Sequence, residues 1–329
     1  MRQKAFLKSL MIIAWVAFLV MGICLTASHA QAKFPTRPMN IICPWAAGGG
    51  TDSVARILAV LMEKDLGQPV TVVNRTGGSG AVGHTAGATA APDGYTMCIT
   101  TVEITMLHWV GLAKVTYRDV KAVALVNIDP AGINVAVDSP WKTLKELQDY
   151  IRANPGKIKA SGTGRGGSWH LCMAGWLKTV GIPIDAVLWV PGTGAAPGLQ
   201  EMLAGGLQMV PCSLPEARAL IEAKKVRALA VMADKRLEVF PDVPTLKELG
   251  INFSMGAWRG ITVPKGTPAE VVAVLEKSIE KAVASQQFKD FMQKNGFGIW
   301  YKPSGEFDKF MAEEDEIKGR LMKEAGIAK

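Results

Sequence analysis

The chain has 329 residues, of which 49% are hydrophobic and 20% are charged, and its formal net charge is +8. This composition excludes wholesale disorder, and the length suggests two domains. There is no block of Lys and Arg, so a nucleic-acid surface is disfavoured, whereas a mild positive charge favours small anions.

The first 32 residues have the pattern of a secretory signal peptide. A basic start precedes an uncharged apolar segment at residues 10–27, and Ala30 and Ala32 then offer small residues at cleavage spacing. We therefore predict cleavage near Ala30 or Ala32 and a periplasmic mature protein. The alternative is an uncleaved membrane anchor, because the apolar segment approaches the length that spans a bilayer.

Four cysteines follow the predicted signal peptide, and they form no CxxC pair. Structural zinc and thioredoxin-type chemistry are therefore not expected. Cys43 and Cys98 lie in apolar, strand-like runs and are predicted to be buried thiols. Export would permit a disulfide, but the sequence does not tell whether any of Cys43, Cys98, Cys172 and Cys212 form one.

The hydrophobic pattern predicts alternating strands and helices in a first series that ends near residue 99. Its strands cover residues 39–43, 69–73 and 95–99, and its helices cover residues 52–64 and 80–90. This order implies a parallel sheet with helices on its faces, which is the α/β class.

A second series of the same kind starts near residue 132. Its predicted strands cover residues 133–137, 157–160, 187–190, 207–210 and 226–231. Its predicted helices cover residues 143–152, which open with a capping box, and 168–179, 196–204, 215–223 and 245–250. Two long amphipathic helices, 269–285 and 306–325, close the chain.

Two glycine-rich loops follow strand ends, where ligands of open α/β sheets bind. The loop at residues 44–52 has three consecutive glycines just ahead of a helix. Its exposed backbone N–H groups and the helix dipole favour an anion such as a carboxylate. Thr51 or Asp52 can cap the helix, and the alternative is a simple strand–helix turn.

The loop at residues 161–170 repeats this device and also fits the spacing GxGxxG. A dinucleotide site should have an acidic residue at the end of the next strand, but Asp185 lies before that strand. Neither loop has the GK[ST] of a P-loop, so an NTPase is disfavoured.

The sequence contains none of the common catalytic motifs. There is no HExxH and no GxSxG, and His84, His108 and His170 lack metal-ligand spacing. His170 is expected to form a structural hydrogen bond. We therefore expect a protein that is not an enzyme and needs no metal and no cofactor. A secreted α/β enzyme and a sensory receptor for a signalling partner remain the alternatives.

Short motifs recur in a fixed order along the exported chain. They include PWAAGGGTD (44–52), LGQPV (66–70), APDGYT (91–96), PDVPT (241–245) and PKGTP (264–268). Together they resemble the solute receptors of tripartite tricarboxylate transporters, the Bug family. The likeness extends from residue 34 to residue 326.

This resemblance implies a periplasmic binding protein of type II-like fold, with two α/β domains, a ligand cleft between them and crossing strands as the hinge. On this basis domain 1 comprises residues 33–131 and 256–329, and domain 2 comprises residues 132–255. Such receptors capture a small organic carboxylate, largely through backbone N–H groups, and deliver it to the integral-membrane permease subunits of the transporter.

The family's ligand loops correspond here to residues 45–52 and 161–170. The candidate ligand-binding residues are Trp45, Ala46, Gly48, Gly49, Gly50, Thr51, Asp52, Thr101, Glu103, Ser161, Thr163, Arg165, Gly166, Gly167, Ser168, His170, Gly192, Thr193, Gly194 and Gln208. Gln208 stands where the family usually has an Asp that could hold a ligand amino group, so an acidic amino acid is less expected than in some relatives.

Glu103 and Arg165 are charges at strand ends, one in each predicted domain. Burying either charge alone is costly, so Arg165 is predicted to pair with Glu103, with the ligand or with both when the cleft closes. The alternative is that both side chains point to solvent, where an ion pair contributes little.

Overall fold

The computed structural model describes residues 34–329, and its main compact unit is Arg37–Lys329. The predicted signal peptide and its cleavage site lie outside the described residues. The strands are β1 (Met39–Cys43), β2 (Val70–Asn74), β3 (Thr96–Thr101), β4 (Val120–Pro130), β5 (Gly132–Ala136), β6 (Ile158–Ala160), β7 (Val187–Trp189), β8 (Val226–Val231), β9 (Gly256–Pro264) and β10 (Lys302–Pro303). The helices are α1 (Gly50–Leu66), α2 (Ala81–Ala88), α3 (Leu144–Ala153), α4 (Ser168–Thr179), α5 (Ala195–Leu203), α6 (Leu214–Glu222), α7 (Ala269–Ala284), α8 (Gln286–Asn295) and α9 (Ser304–Glu324).

A six-stranded sheet carries the first predicted series. Its strand order is β10-β4-β9-β3-β1-β2. β1 pairs in parallel with both β2 and β3, which confirms the predicted parallel unit, while β3, β9, β4 and β10 are successively antiparallel. The carboxyl ends of β1 and β3 therefore lie side by side and deliver residues 44–52 and 101–105 to one edge of the sheet.

The second series forms separate, shorter sheets. β5 pairs antiparallel with β8, and β6 pairs in parallel with β7. Isolated bridges at Met209 and Val210 connect β6 to β5. Residues 207–210 were predicted to be a strand, but they pair only through these isolated bridges. The Gln208 N–H donates to the Lys159 carbonyl at 3.0 Å, and the Gln208 side chain accepts from the Lys159 N–H at 2.9 Å.

Helix boundaries follow local capping chemistry. α3 starts with the predicted capping box, in which Thr143 and Glu146 exchange side-chain and backbone hydrogen bonds. α1 ends at Gly67, whose φ of +68° is the left-handed conformation that glycine adopts without strain. The short helix predicted at 245–250 is wrong. Thr245 and Glu248 cap each other there, but the chain continues as turns.

Two strands, β4 and β9, run side by side through the centre of the larger sheet, and each leads into or out of the second series. Where they leave it, Ala131, Met232 and Met255 are joined by mutual backbone hydrogen bonds of 2.7–3.0 Å. The family resemblance implied such crossing strands. The domain boundaries at 131/132 and 255/256 stay a prediction.

The core is apolar and continuous around α4 and β9. Trp176 and Trp258 are fully buried, and Phe307 of α9 packs edge-on against Trp258 with ring centroids 5.4 Å apart. Cys43, Cys98, Cys172 and Cys212 are all buried free thiols, as predicted for the first two. Over residues 34–329, no helix combines the length and apolarity needed to cross a membrane.

Candidate functional site

A cavity opens where the ends of β1 and β3 meet the starts of α1, α4 and α5. It holds about 400 Å³ of empty space, counted out through its mouth into open solvent. It is lined by Trp45, Ala46, Gly49, Gly50, Thr51, Thr101, Glu103, Gly162, Thr163, Ser168, Trp169, Gly194, Ala195, Ala196, Pro197, Glu216, Ala257 and Arg259.

The first turn of α1 supplies hydrogen-bond donors to this cavity. The Gly50 N–H donates to Glu216 Oε1 at 3.3 Å. The backbone N–H groups of Thr51 and Asp52, both buried residues, find no acceptor among residues 34–329. These N–H groups and the positive end of the helix dipole together favour a negatively charged group.

Asp52 shapes the first loop instead of facing the cavity. Its carboxylate accepts hydrogen bonds from the Gly48 N–H (3.0 Å), from Arg56 (2.9 Å) and from Asn74 (2.9 Å). Burial works against its ionisation, but these donors outweigh burial, and the pKa of Asp52 lies below its ordinary value. Asp52 is therefore ionised, and its carboxylate connects the Gly48 backbone to Arg56 and Asn74.

Glu103 lies directly beyond β3 and is only 1% exposed. Its Oε1 accepts a hydrogen bond from the Ser168 N–H at the start of α4 (2.9 Å), and its Oε2 accepts one from the Thr101 hydroxyl (2.5 Å). The N-terminus of α4, which the sequence suggested as a cradle for the ligand's carboxylate, is thus already occupied by a carboxylate of the protein.

A chain of polar groups holds Glu103 in place. The Trp45 indole N–H donates to Thr101 Oγ1 at 3.2 Å, and His84 Nε2 lies 3.3 Å from the same oxygen. Burial lowers the pKa of His84 to about 4, so the imidazole is neutral at physiological pH. His84 therefore brings no positive charge to Glu103.

Arg259 of β9 forms the second charged cluster. Its side chain, 2% exposed, contacts Asp129, Asn127, Thr51 and Glu216. Burial raises the pKa of both Asp129 and Glu216, and the charge of Arg259 offsets part of that rise. One guanidinium is therefore shared between two carboxyl groups.

The second loop is fixed by contacts with residues 77–80. The Ser79 hydroxyl donates to the Arg165 carbonyl at 3.1 Å, and a Cβ at Gly164 would lie 2.2 Å from Ser79 Oγ, so only glycine fits there. The side chain of Arg165 is exposed and forms no ion pair with any described residue. Glu103 and Arg165 form no ion pair in this structure, because the loop directs Arg165 outward while Glu103 is bonded to Ser168. A pairing of Arg165 with a ligand on closure stays a prediction.

His170 is a hydrogen-bonding residue, as expected. Its Nδ1 accepts from the Gly166 N–H at 3.0 Å. Burial, together with the nearby charge of Arg165, lowers its pKa to about 4. Gly166 itself faces away from the cavity, since a Cβ there would meet Val110 at 2.8 Å.

Half of the candidate ligand-binding residues line the cavity. These are Trp45, Ala46, Gly49, Gly50, Thr51, Thr101, Glu103, Thr163, Ser168 and Gly194. The structure places the others outside the lining: Gly48, Asp52, Ser161, Arg165, Gly166, Gly167, His170, Gly192, Thr193 and Gln208. Several of these support the loops, as when the Thr193 carbonyl accepts from the Ala46 N–H at 3.3 Å.

Eight lining residues are not among the candidates, although Gly162 and Trp169 lie within the predicted ligand loop 161–170. They are Gly162, Trp169, Ala195, Ala196, Pro197, Glu216, Ala257 and Arg259. Arg259 could have been suspected, because an arginine inside an apolar strand must find buried partners. Glu216 has the spacing of a capping residue after Ser213, which gives it an ordinary structural explanation.

One lining side chain is buried without a partner. Thr163 is 2% exposed, and its hydroxyl has no hydrogen-bond partner within the described part of the chain. A buried unsatisfied hydroxyl is unfavourable, so its position in the cavity wall points to a ligand atom as the missing partner. Residues 34–329 contain no cluster of His, Cys, Asp and Glu that could hold a metal ion.

Comparison with known proteins gives consistent matches. The model of the family described as "Tripartite tricarboxylate transporter family receptor" matches residues 54–327. A Cupriavidus necator protein, the "UPF0065 protein in gbd 5'region", is 32% identical over 313 residues, 94% of each chain.

Two solved structures resemble the whole described chain. The periplasmic binding protein BugD has 31% identity and a TM-score of 0.85, covering 90% of this chain and 99% of its own. MatC from Rhodopseudomonas palustris, solved with bound malate, has 28% identity and a TM-score of 0.80, covering 88% of this chain and 99% of its own. These similarities confirm the predicted α/β fold of a type II-like periplasmic binding protein.

Proposed function

Because the chain belongs to the tripartite tricarboxylate transporter receptor family, we propose that it is a periplasmic receptor for a small organic carboxylate. It delivers that carboxylate to the integral-membrane permease of such a transporter. The predicted signal peptide supports export, and the similarity to periplasmic binding protein BugD supports the location. The bound malate of MatC supports the carboxylate class.

The N-terminus of α1 is the observation that carries this proposal. The Thr51 N–H, which finds no acceptor among residues 34–329, lies at the wall of the cavity, and the N–H of Asp52 follows it in the first turn of α1. A ligand carboxylate would satisfy them and would gain from the helix dipole. The unpartnered Thr163 hydroxyl in the same wall supplies a further donor or acceptor.

The residues of the cavity serve binding and not catalysis. The family and the similar structures are binding proteins. The polar groups of the wall are backbone N–H groups, hydroxyls, carboxylates and the Arg259 guanidinium, and hydrogen bonds hold the charged groups in place. This arrangement favours a receptor over the alternative of a secreted enzyme, and the family favours transport over signalling.

Native mass spectrometry of protein purified without refolding, followed by calorimetry with a panel of small carboxylates, tests the binding function. We expect a retained or added carboxylate to bind at one site. Thr163→Val should leave the stability of the free protein unchanged and should weaken binding about tenfold, because one hydrogen bond to a charged group is lost. Thr89→Val, an exposed threonine outside the cavity, is the control.

Failure of every carboxylate to bind would overturn the proposal. Delivery is tested separately by uptake of the identified ligand in cells with and without the receptor gene. Uptake that is independent of the receptor would refute the transport role and leave the binding role standing.

A further inference from the structure

Glu103 is a buried carboxylate in the cavity wall that has no cationic partner. Its two oxygens each accept one hydrogen bond, from Ser168 and Thr101, and it forms no ion pair within residues 34–329. An ionised carboxylate has about four acceptor positions, so about two remain open. Burying such a charge without a counter-charge is unfavourable, and the helix dipole of α4 offsets only part of that cost.

The buried cations of the described chain are already matched. Arg259 lies between Asp129 and Glu216, and Lys318 pairs with Glu314 at 2.9 Å. Neither of them forms an ion pair with Glu103. The cavity lining therefore holds two acidic side chains, Glu103 and Glu216, and one basic side chain, Arg259, and Glu103 is the acid without an ion pair.

The position of Glu103 is fixed before any ligand binds. The Trp45 indole orients Thr101, whose hydroxyl holds Oε2, while the first N–H of α4 holds Oε1. The carboxylate therefore cannot turn away from an incoming ligand without breaking two hydrogen bonds. A ligand with a second carboxylate on this side of the cavity would meet a fixed like charge.

The geometry points to a ligand that carries one carboxylate and one protonated amine, a small amino-carboxylate in place of a dicarboxylate. The inference rests on the proposed function, which places the ligand's carboxylate at the N-terminus of α1. The ammonium group then donates to the open positions of Glu103 and supplies its missing counter-charge. The unpartnered hydroxyl of Thr163 lies in the same wall and completes the ligand's polar contacts.

Calorimetry with matched ligand series tests this assignment on the unmodified mature protein. Each series has the same carbon chain and differs only in its second group: 3-aminopropanoate, 3-hydroxypropanoate and malonate, then 4-aminobutanoate, 4-hydroxybutanoate and succinate, then 5-aminopentanoate, 5-hydroxypentanoate and glutarate. L-alanine and L-lactate extend the comparison to α-substituted acids. In the series that fits the cavity, the amine should bind at least tenfold more tightly than the alcohol, and the diacid should bind most weakly.

Glu103→Gln keeps the shape of the side chain and removes its charge. This variant should lose at least tenfold in affinity for the amine, should change little for the alcohol, and should gain affinity for the diacid. Glu201→Gln, an exposed glutamate outside the cavity, should change none of these. If the Glu103 variant does not fold, the ranking of ligands by the unmodified protein still decides the question.

The outcomes separate this inference from the proposed function. Tight binding of a diacid, or equal binding of amine and alcohol, would overturn the amine assignment and leave the carboxylate receptor intact. No binding by any of the acids, including ligands released from the native protein, would overturn the carboxylate receptor itself.

Discussion

Arg259→Gln is expected to lower the free energy of unfolding by about 3–5 kcal/mol near pH 7. The guanidinium is almost fully buried and joins Asp129 and Glu216, which come from different elements of the fold. Glutamine is shorter and uncharged, so it leaves two buried carboxyl groups without a cation. Removing one partner of a buried charge cluster costs far more than removing an exposed one.

The size of this loss should depend on pH. Burial already raises the pKa of Asp129 and of Glu216, and Arg259 limits the rise, so the substitution should raise both pKa values further. A carboxyl with a raised folded pKa keeps its proton in the folded state at pH values where the unfolded chain has lost it. The free energy of unfolding therefore falls as pH rises from the unfolded pKa to the folded pKa. The difference between parent and variant should therefore shrink on going from about pH 7 to pH 5.

Urea denaturation of both proteins at the two pH values measures the effect. Arg236→Gln is the matched control, because Arg236 is 44% exposed and pairs with Glu248 at the surface at 3.0 Å. The control should lose no more than about 1 kcal/mol. A loss for Arg259→Gln as small as that of the control, or a loss independent of pH, would refute this account of the cluster.

Three further predictions concern the local structure. Asp52→Asn should lower the free energy of unfolding by about 1 kcal/mol at neutral pH. The difference from the parent should vanish in acid, because a carboxyl with a lowered folded pKa loses its contribution to stability as pH falls through that pKa. Urea titrations at several pH values measure this. Thr143→Ala should cost about 1 kcal/mol by removing the capping box with Glu146, and an unchanged urea midpoint would contradict it. Thiol titration of protein lacking residues 1–32 should detect no fast-reacting cysteine until urea is added, because burial raises the thiol pKa values, to about 12 for Cys43 and Cys98.

Several elements could be predicted from the sequence, because apolar runs, turn residues and capping residues mark where they begin and end. β1, β8 and α4 have the predicted bounds, and α3 begins where its capping box indicated. β4 and β9 are buried along almost their whole length, do not alternate and were not predicted as strands. Residues 207–210 looked like a strand by composition, but backbone bridging there is limited to single contacts.

The part of the candidate site that consists of backbone N–H groups could be predicted from the sequence. The part in which side chains from distant elements converge could not. Glycine spacing before α1 identified the N–H groups of the first loop. Glu216 and Arg259 reach the same cavity from α6 and β9, and no local pattern connects them to it. Charge alone suggested that Glu103 would meet Arg165, yet backbone donors at α4 hold Glu103 instead.

The two edges of the six-stranded sheet differ in how they could meet another chain. At one edge, β10 has only two residues, and its Pro303 lacks a backbone N–H, so little of that edge can pair with an incoming strand. At the other edge, β2 is a run of five residues with Thr71 and Val73 exposed. Self-association through strand addition is therefore expected to begin at β2. Val73→Lys should block it with the least effect on the core, because the Val73 side chain is exposed.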